Sequence, residues 1–562
     1  MKSANALFSL GAAALAAILG ATPALTRAAQ TDLAQAPLAT SSTATVLPNL
    51  MFILDNSTSM ETDRMPDEVK DSTTCKKCTS GSCDVVSTAC DRGHPPYYAA
   101  PFNTIYYNPQ ITYSPAVDST GASLGNSSPT AANSNPFLGG SNKNLTTTYR
   151  EIYWCIKTNP SSTELTDPSL NVCRQNGITM PGSTFTYDNA SNNDGSGGYP
   201  TKTYLNAVIK DTHNPFYYEI TPREFCTDQT LAQCSFTKGG AFLLDAPVRF
   251  CKTAAKAADT LAVSGPAVPD CQSKVSSTYK YPRFGKFTRT DIVSSGTFGN
   301  RPNRTDCAAK PNCSYTEELQ NFANWYTYYR IRASLMKTVT GQAFLGLDDR
   351  FRVGFVTINI ESPASDFYLK IDKFDATHRA AWYNTLYKSP HISGTPLKEA
   401  LSRVGRHYAG VIDGINSLLP DDPVQFSCQQ NFALLTTDGY YNSDPGQQIN
   451  GSNIGNQDND DAGFSKREDG AYDGNLAGSK DTLADVAMYY YKTDLRPTGP
   501  VSKDNVPTTD TDKASHQHMV SFTLGLGLDG LMTYRPDYAT AGTGDFEKIK
   551  KGDGSGCSWT TK

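Results

Sequence analysis

Residues 48–60 read PNLMFILDNSTSM, an apolar run that ends in one carboxylate and two hydroxyls on alternate positions. Positions 49–54 have the length and composition of a buried β-strand. Asp55, Ser57 and Ser59 follow directly, where the strand gives way to a loop. A lone Asp-x-Ser-x-Ser is common in polar loops, so its meaning depends on the rest of the chain.

The length and charge of the chain narrow the possible classes of protein. The chain has 562 residues and a formal net charge of -5. It is too long for one ordinary core, so several units or one domain with large insertions are expected. There is no block of lysine and arginine and no basic patch interleaved with aromatic residues. Nucleic acid is therefore not an expected partner.

The N-terminus is typical of a secretory signal peptide. Lys2 precedes an uncharged stretch rich in Ala and Leu over residues 4–20, and small residues that suit cleavage follow it. The alternative is a membrane anchor, for which a run of 17 residues rich in Ala and Gly is at the short limit. We predict a signal peptide over residues 1–29, a linker over 30–48, export, and no membrane span after cleavage.

The 14 cysteines are typical of an exported chain with disulfide bonds, and twelve of them fall between Cys75 and Cys313. The spacing of Cys75 and Cys78 also suits zinc or a redox dithiol, but no histidine lies nearby at zinc-site spacing. Residues 61–313 are rich in Ser, Thr, Asn, Gly, Pro and Tyr, and parts of them are too polar to build a core alone. We predict a large, loop-rich, disulfide-stapled insertion after the first strand.

Regular structure is predicted to resume at Ser314, where Ser314 and Glu317 form a capping box. One long amphipathic helix should follow and include Met336. Strands at FRVGFVTINI, NFALLTTDG and HMVSFTLGLG alternate with helices over 376–387, from Thr395 onward and over DTLADVAMYYYKTDL. Apolar strands that alternate with helices predict an α/β domain with a doubly wound, mostly parallel sheet.

Three loops should converge at the carboxyl edge of that sheet, namely those that carry Asp55, Ser57 and Ser59, then Thr395, and then Asp438. Two carboxylates and three hydroxyls suit a hard divalent cation, Mg2+ first, with Mn2+ or Ca2+ as alternatives. Neutral hydroxyls leave the cation with excess positive charge and an open position for an acidic group of a partner. Each residue also has a simpler role as a helix cap or a turn residue.

This set resembles the metal-ion-dependent adhesion site of von Willebrand factor type A domains. Longer blocks resemble the N-terminal half of the PilY family of type IV pilus tip adhesins and biogenesis proteins: PNLMFILDNSTSM, NFANWYTYYRIRASLMK, GTPLKEALSRVGRHY, LLTTDGYYN, DTLADVAMYYYKTDLRP and QHMVSFTLGLGLDGLMTYRPDY. The resemblance covers about residues 48–562 apart from the insertion. It implies a discontinuous, Rossmann-like type A domain of residues 49–60 and 314–562. The implied metal ligands are Asp55, Ser57, Ser59, Thr395 and Asp438.

The resemblance also implies a function. The chain is expected to be an exported adhesin and biogenesis factor at the pilus tip that supports surface attachment and twitching motility, and not an enzyme. Its expected partners are minor pilins and host or abiotic surface ligands, bound through an acidic group. Its expected locations are the pilus tip and cell surface, with periplasmic and outer-membrane pools.

Two alternative functions remain from the sequence. One is a structural subunit of pilus assembly whose metal only braces the loops. The other is a metal-dependent hydrolase, although the chain has no His-Glu-x-x-His and no Gly-x-Ser-x-Gly motif. His516 and His518 alternate on a predicted strand, where we expect exposed side chains and not metal ligands.

The family usually continues into a C-terminal β-propeller with a calcium loop, and this chain is expected to lack the propeller. A second stretch has the spacing of a calcium loop but carries Ala462 at position five, where an oxygen ligand is normal. We therefore interpret it as a solvated acidic loop. Its residues at positions one, three, six and twelve are Asp458, Asp460, Gly463 and Asp469.

Overall fold

The computed structural model describes residues 46–527 with gaps, and a few residues between 537 and 544. The larger gaps are 67–75, 86–94, 176–183, 187–205, 258–266 and 458–480. The predicted signal peptide, most of the predicted linker and the acidic loop at 458–469 lie outside the described residues. Among the helices that are described, none is long and apolar enough to cross a membrane.

A five-stranded mixed sheet is built around β1 (Asn49–Leu54). On one side, β2 (Arg352–Thr357) lies parallel to β1, and β3 (Tyr368–Lys373) lies antiparallel to β2 at the edge. On the other side, β4 (Asn431–Thr437) lies parallel to β1, and β5 (Met519–Gly525) lies parallel to β4. The strand order is β3-β2-β1-β4-β5. Together with its helices, this sheet confirms an α/β protein.

Helices cover both faces of the sheet. The ring of Phe52 in β1 packs against Phe344 and Trp382 on one face, with centroid distances of 5.2 and 5.6 Å. Its neighbours Met51 and Ile53 lie in a buried cluster on the other face. The helices that follow in the chain are α1 (Tyr315–Tyr328), α2 (Arg332–Phe344), α3 (Ala376–Lys388), α4 (Leu397–Tyr408) and α5 (Leu483–Lys492). Phe344 belongs to α2 and Trp382 to α3, whereas α4 and α5 contribute to the cluster around Met51.

The single long helix predicted from residue 314 is wrong, because the structure has two helices in its place. The capping box at the start of α1 is confirmed. However, α1 ends at Tyr328, and Ile331 is extended with φ -114° and ψ 152°. The N–H of Arg332 then donates to the carbonyl of Thr62 at 3.2 Å. The break lets the chain exchange helical hydrogen bonds for a contact with the loop that follows β1.

The intervening segment (residues 61–313) forms small antiparallel sheets. The three-stranded sheets are Phe216–Thr221 with Lys286–Asp291 and Thr184–Thr186; Glu151–Cys155 with Cys173–Gln175 and Asn206–Lys210; Val248–Cys251 with Cys271–Gln272 and Tyr281–Phe284; and Phe225–Cys226 with Cys234–Ser235 and Leu244–Asp245. The two-stranded pairs are Lys76–Thr79 with Ser82–Val85, and Ala132–Asn133 with Asn142–Lys143. A short helix covers Ser162–Thr166.

An aromatic core joins the intervening segment to α1. The rings of Tyr107 and Tyr149 lie 4.9 and 5.3 Å from that of Phe322 in α1. Trp325 in the same helix donates from Nε1 to the carbonyl of Ile105 at 2.9 Å. Parts of this segment were expected to be too polar to build a core alone, and this core includes residues of α1. Tyrosine suits such a shared core in a polar segment, because its ring can be buried while its hydroxyl finds a hydrogen-bond partner.

Among the described residues of the intervening segment, four disulfide bonds confirm the disulfide prediction for eight of the twelve cysteines. The four cysteines between positions 75 and 90 lie outside the described side chains, as does Cys557. Cys428, just before β4, has a free thiol. The bonded pairs are Cys155–Cys173, Cys226–Cys234, Cys251–Cys271 and Cys307–Cys313.

A buried lysine makes the stability of this fold depend on pH. Lys337 in α2 donates from Nζ to the carbonyls of Tyr387 and Ser389, at 3.0 and 2.8 Å. Burial lowers the pKa of Lys337 to about 7 from its ordinary 10.5. Nearby His391, whose pKa is lowered to about 4 by burial and then by the charge of Lys337, stays neutral above that value. Between the two pKa values of Lys337 the unfolded chain binds more protons than the folded one, so stability rises with pH.

We therefore expect Lys337→Met to remove a pH-dependent part of the stability. Relative to this variant, the wild type should gain about 2 kcal/mol between pH 7 and pH 9, since one proton contributes about 1.4 kcal/mol per pH unit. Urea unfolding across this range measures the difference. Lys388→Met, at an exposed position at the end of α3, is the control and should keep the wild-type slope. Equal slopes in the wild type and Lys337→Met would contradict this assignment.

Candidate metal-binding site

The carboxylate of Asp55, the first candidate ligand, holds the loop that follows β1. Asp55 and Ser57 are each 1% exposed. Asp55 accepts the N–H of Ser57 at Oδ1, at 2.8 Å, and the hydroxyl of Thr437 at Oδ2, also at 2.8 Å. Because Thr437 is the last residue of β4, the carboxylate joins the carboxyl ends of two adjacent parallel strands.

The two serine hydroxyls continue this connection. Ser57 Oγ lies 2.8 Å from Ser59 Oγ, and Ser59 Oγ donates to Asp438 Oδ1 at 3.0 Å. Asp438 directly follows β4. The structure therefore brings Asp55, Ser57, Ser59 and Asp438 together at one edge of the sheet. The chain continues from β1 to β2 on one side and reaches β4 on the other, so this is a switch point at which ligands bind in open α/β sheets.

Thr395 lies in a loop beside this group. A parallel bridge joins Ser57 to Ile392, and Ile392 donates its N–H to the carbonyl of Asn56 at 2.7 Å. The backbone N–H of Thr395 donates to the side chain of Asn442, and its carbonyl accepts from the N–H of Asn442 at 3.0 Å. Within the described residues, no hydrogen bond joins the Thr395 hydroxyl to the other four candidate ligands. The structure thus places its loop, but not its hydroxyl, in contact with the group.

Asp55, Ser59 and Thr395 do not have the alternative role of a helix N-cap. Ser59 lies inside a short 3-10 helix whose N-cap is Ser57 and not Asp55. The N-cap of α4 is Pro396, one residue after Thr395, and it makes no capping bond through its side chain. Ser57 precedes the short 3-10 helix Thr58–Glu61, again without a capping bond from its side chain. The hydroxyl of Ser57 instead lies against that of Ser59, and the loop of Thr395 is held through its backbone.

A buried arginine completes the electrostatics of the site. Arg332 Nη1 donates to Asp438 Oδ2 at 2.9 Å, and the two side chains are only 1% and 2% exposed. The pKa of Asp55 is raised by burial and, less strongly, by the charge of Asp438, while hydrogen bonds from Ser57 oppose the shift. The guanidinium is paired with Asp438, whereas Asp55 is held by Ser57 and Thr437. With both carboxylates ionised, the cluster has two negative charges and one positive charge.

Arg332 was not among the predicted site residues, although the sequence contains a signal for it. In the helix predicted from residue 314, position 332 lies three residues after Tyr329 and four before Met336, on the apolar face. A charged residue on the buried face of a predicted helix requires a partner. The periodicity gives no information about which carboxylate that partner is.

The donor set is compatible with a hard divalent cation. All the oxygens that the structure gathers come from carboxylates and hydroxyls, and the excess negative charge favours a cation. In the described part of the chain, no three His, Cys, Asp or Glu side chains form a metal-binding group. A cation at this site would therefore depend on hydroxyl ligands as well as on Asp55 and Asp438.

The histidine pair departs from its prediction. The strand that was expected to carry it begins only at Met519. His518 is 3% exposed, and its Nε2 lies 3.2 Å from Asp512 Oδ2. Its Nδ1 lies 2.7 Å from the carbonyl of His516. The expectation of two exposed side chains is wrong for His518, because a buried carboxylate compensates the burial of its imidazole.

Three curated proteins are similar to this chain, each named type IV pilus biogenesis factor PilY1 and each from Pseudomonas aeruginosa. The protein of strain PAO1 is 32% identical over 267 residues, which is 42% of this chain and 22% of the relative. Those of strains PAK and UCBPP-PA14 are 29% and 30% identical over 283 and 262 residues, with 46% and 43% of this chain and 24% and 22% of the relatives covered. No family model and no solved structure matches.

These similarities confirm the resemblance to the PilY family that the sequence blocks indicated. This chain is related to the type IV pilus biogenesis factors of that family over the matched segments. The matches span less than a quarter of the length of these relatives.

Proposed function

We propose that this chain is an exported type IV pilus biogenesis factor, associated with the pilus tip, and that it binds surfaces or protein partners through a metal-ion-dependent adhesion site. It is not an enzyme in this proposal. Residues 49–60 and 314–562 form a doubly wound domain of the von Willebrand factor A type, and residues 61–313 are its insertion. The similarity to three pilus biogenesis factors supports the pilus role.

One observation carries the adhesion part of the proposal, namely the continuous set of hydrogen bonds between the loops after β1 and β4. Asp55, Ser57, Ser59 and Asp438 all take part in it. These residues would hold the cation, Mg2+ first and Mn2+ or Ca2+ as alternatives, with Thr395 in the adjacent loop as the fifth ligand. The cation would supply a positive centre that binds a carboxylate of the partner.

The proposed partners follow from this chemistry and from the family. They are minor pilins at the pilus tip, and host or abiotic surface ligands that present an acidic group. The proposed locations are the pilus tip and the cell surface, with periplasmic and outer-membrane pools. Through these contacts the chain would support surface attachment and twitching motility.

Removal of the cation tests the proposal against a metal that only braces the loops. We expect beads coated with the full chain to bind purified type IV pili, or carboxylate-bearing surfaces, in Mg2+. In chelator the amount bound should fall by about tenfold or more. Restored Mg2+ should restore binding. The fold should persist throughout, because the sheet and both of its apolar faces are built without the site. Far-UV circular dichroism and urea unfolding in the same buffers measure the fold.

Asp438→Asn is the matched variant, because it removes one charge from the site and keeps the size of the side chain. Its binding in Mg2+ should resemble that of the wild type in chelator. Binding that is equal in Mg2+ and in chelator would contradict an adhesion site. Loss of the fold with the cation would instead favour a bracing metal, as in structural metal sites.

A further inference from the structure

We propose that Arg332 determines the charge specificity of the candidate site: its fixed positive charge weakens cation binding and strengthens the binding of an anionic partner group. This inference rests on the proposed function, because it concerns the same site. Neither the spacing of the candidate ligands nor the similarity to the three relatives assigns a role to Arg332.

Arg332 is held in place by hydrogen bonds on two sides. Its guanidinium donates to Asp438 Oδ2 at 2.9 Å and to the carbonyl of Arg64 at 2.9 Å. The backbone N–H of Arg332 donates to the carbonyl of Thr62 at 3.2 Å. Since its side chain is 1% exposed, water cannot replace these partners. The charge is held by the backbone on one side and by a candidate ligand on the other.

The two carboxylate oxygens of Asp438 have different partners. Oδ2 faces Arg332, whereas Oδ1 accepts the hydroxyl of Ser59 and so points into the cluster of candidate ligands. The carboxylate is therefore neutralised in part before any metal binds. A cation at the site would meet less negative charge than Asp55 and Asp438 alone would provide.

Arg332 also raises the net charge that the site would have with a cation bound. With Arg332, two carboxylates and a divalent cation, the site has a formal charge of plus one; without Arg332 it would be neutral. Two charges on opposite oxygens of one carboxylate, in a partly buried site, interact strongly enough to change affinities by about tenfold or more. Arg332 thus lowers the affinity for the metal and raises the affinity for the acidic group of a partner.

A purely structural ion pair is the competing explanation, and the chain offers a matched control. Arg304 Nη1 donates to Glu318 Oε2 at 2.7 Å, and both side chains are fully buried. This pair joins the intervening segment to α1, away from the candidate ligands. Arg304→Met should lower the stability of the fold without changing cation affinity. If Arg332 is only structural, Arg332→Met will behave in the same way.

The experiment uses the full chain and two probes, Mn2+ alone and then acetate at saturating Mn2+. Titration calorimetry should show that Arg332→Met binds Mn2+ about tenfold more tightly than the wild type and binds acetate about tenfold more weakly. Arg332→Lys keeps the charge and should stay within about threefold of the wild type for both probes. Arg304→Met should match the wild type for both probes.

Opposite changes in the two affinities would support the inference, whereas unchanged affinities, or a parallel loss of both, would overturn it. Should Arg332→Met fail to fold, Arg332→Gln replaces it, because its neutral amide still donates hydrogen bonds to Asp438. A wild type that binds no Mn2+ would overturn the proposed function together with this inference. A wild type that binds Mn2+ with affinities insensitive to Arg332→Met and Arg332→Gln would overturn this inference alone.

Discussion

Asp55→Ala is expected to abolish the binding of divalent cations to the full chain. Asp55 is one of only two charged oxygen donors among the five candidate ligands, and the hydroxyls that remain are weak ligands. Its carboxylate also connects the loop after β1 to Thr437 at the end of β4. We therefore expect affinity for Mg2+ and Mn2+ to fall by roughly 100-fold or more, because a ligand and the order of its loop are lost together. Isothermal titration calorimetry measures both.

The control for this variant is Asp512→Ala. Asp512 is also a buried carboxylate, but it pairs with His518 ahead of β5 and makes no contact with the candidate ligands. Cation binding by Asp512→Ala should equal that of the wild type. Unchanged cation affinity in Asp55→Ala would remove Asp55 from the ligand set, and with it the basis for a site at this edge of the sheet.

Trp382→Ala is expected to destabilise the fold by about 3 to 5 kcal/mol, the usual cost of truncating a fully buried tryptophan. Its indole stacks on Phe344 with a centroid distance of 4.2 Å and packs against Phe52 of β1. Its Nε1 also donates to the carbonyl of Gly354 in β2, at 3.2 Å. The substitution therefore leaves a cavity between α2, α3 and the sheet. Urea unfolding at a fixed pH measures the loss.

Phe426→Ala is the comparison for an aromatic residue that the fold does not bury. Phe426 is 51% exposed, so its removal should change the free energy of unfolding by less than about 1 kcal/mol. A cost below about 1.5 kcal/mol for Trp382→Ala would contradict the close packing of Trp382 between Phe344 and Phe52 on this face of the sheet.

The elements that the sequence predicts best are those with a strong and unbroken pattern. β1, β2 and β4 are continuous apolar runs, and each of them forms a strand where it was expected. The helices from residue 376, after Thr395 and over DTLADV are also confirmed. Local propensity and tertiary packing agree in these stretches, so local information is sufficient.

Two features of the sheet domain escaped prediction for physical reasons. β3 buries Tyr368 and Ile371, three residues apart, because its pairing with β2 shifts register between Val353 and Phe355. It therefore lacks the alternation of period two by which strands are recognised. The break between α1 and α2 has no Gly or Pro to mark it, and it depends on a contact with Thr62 that is remote in sequence.

The candidate site was partly predictable. The Asp-x-Ser-x-Ser motif and the carboxyl ends of parallel strands indicate which loops converge, and four of the five residues do meet. The orientation of Thr395 and the presence of Arg332 depend on the packing of loops and on the end of α1. These are tertiary properties that no short pattern carries.

The central position of β1 has a consequence for how the chain folds. Asn49 meets its neighbours in β2 and β4 at positions 303 and 382 residues later in the chain. Loops of this length delay the pairing of β1, because the entropic cost of closing a loop comes before the contacts that compensate for it. During this delay the six-residue apolar strand β1 has no partner strand. Exposed apolar strands of this kind are prone to aggregation. Within the described residues of the intervening segment, disulfides join cysteines that are 6 to 20 residues apart, so these contacts close much shorter loops than the pairing of β1 does. We therefore expect the sheet to form after the intervening segment has folded.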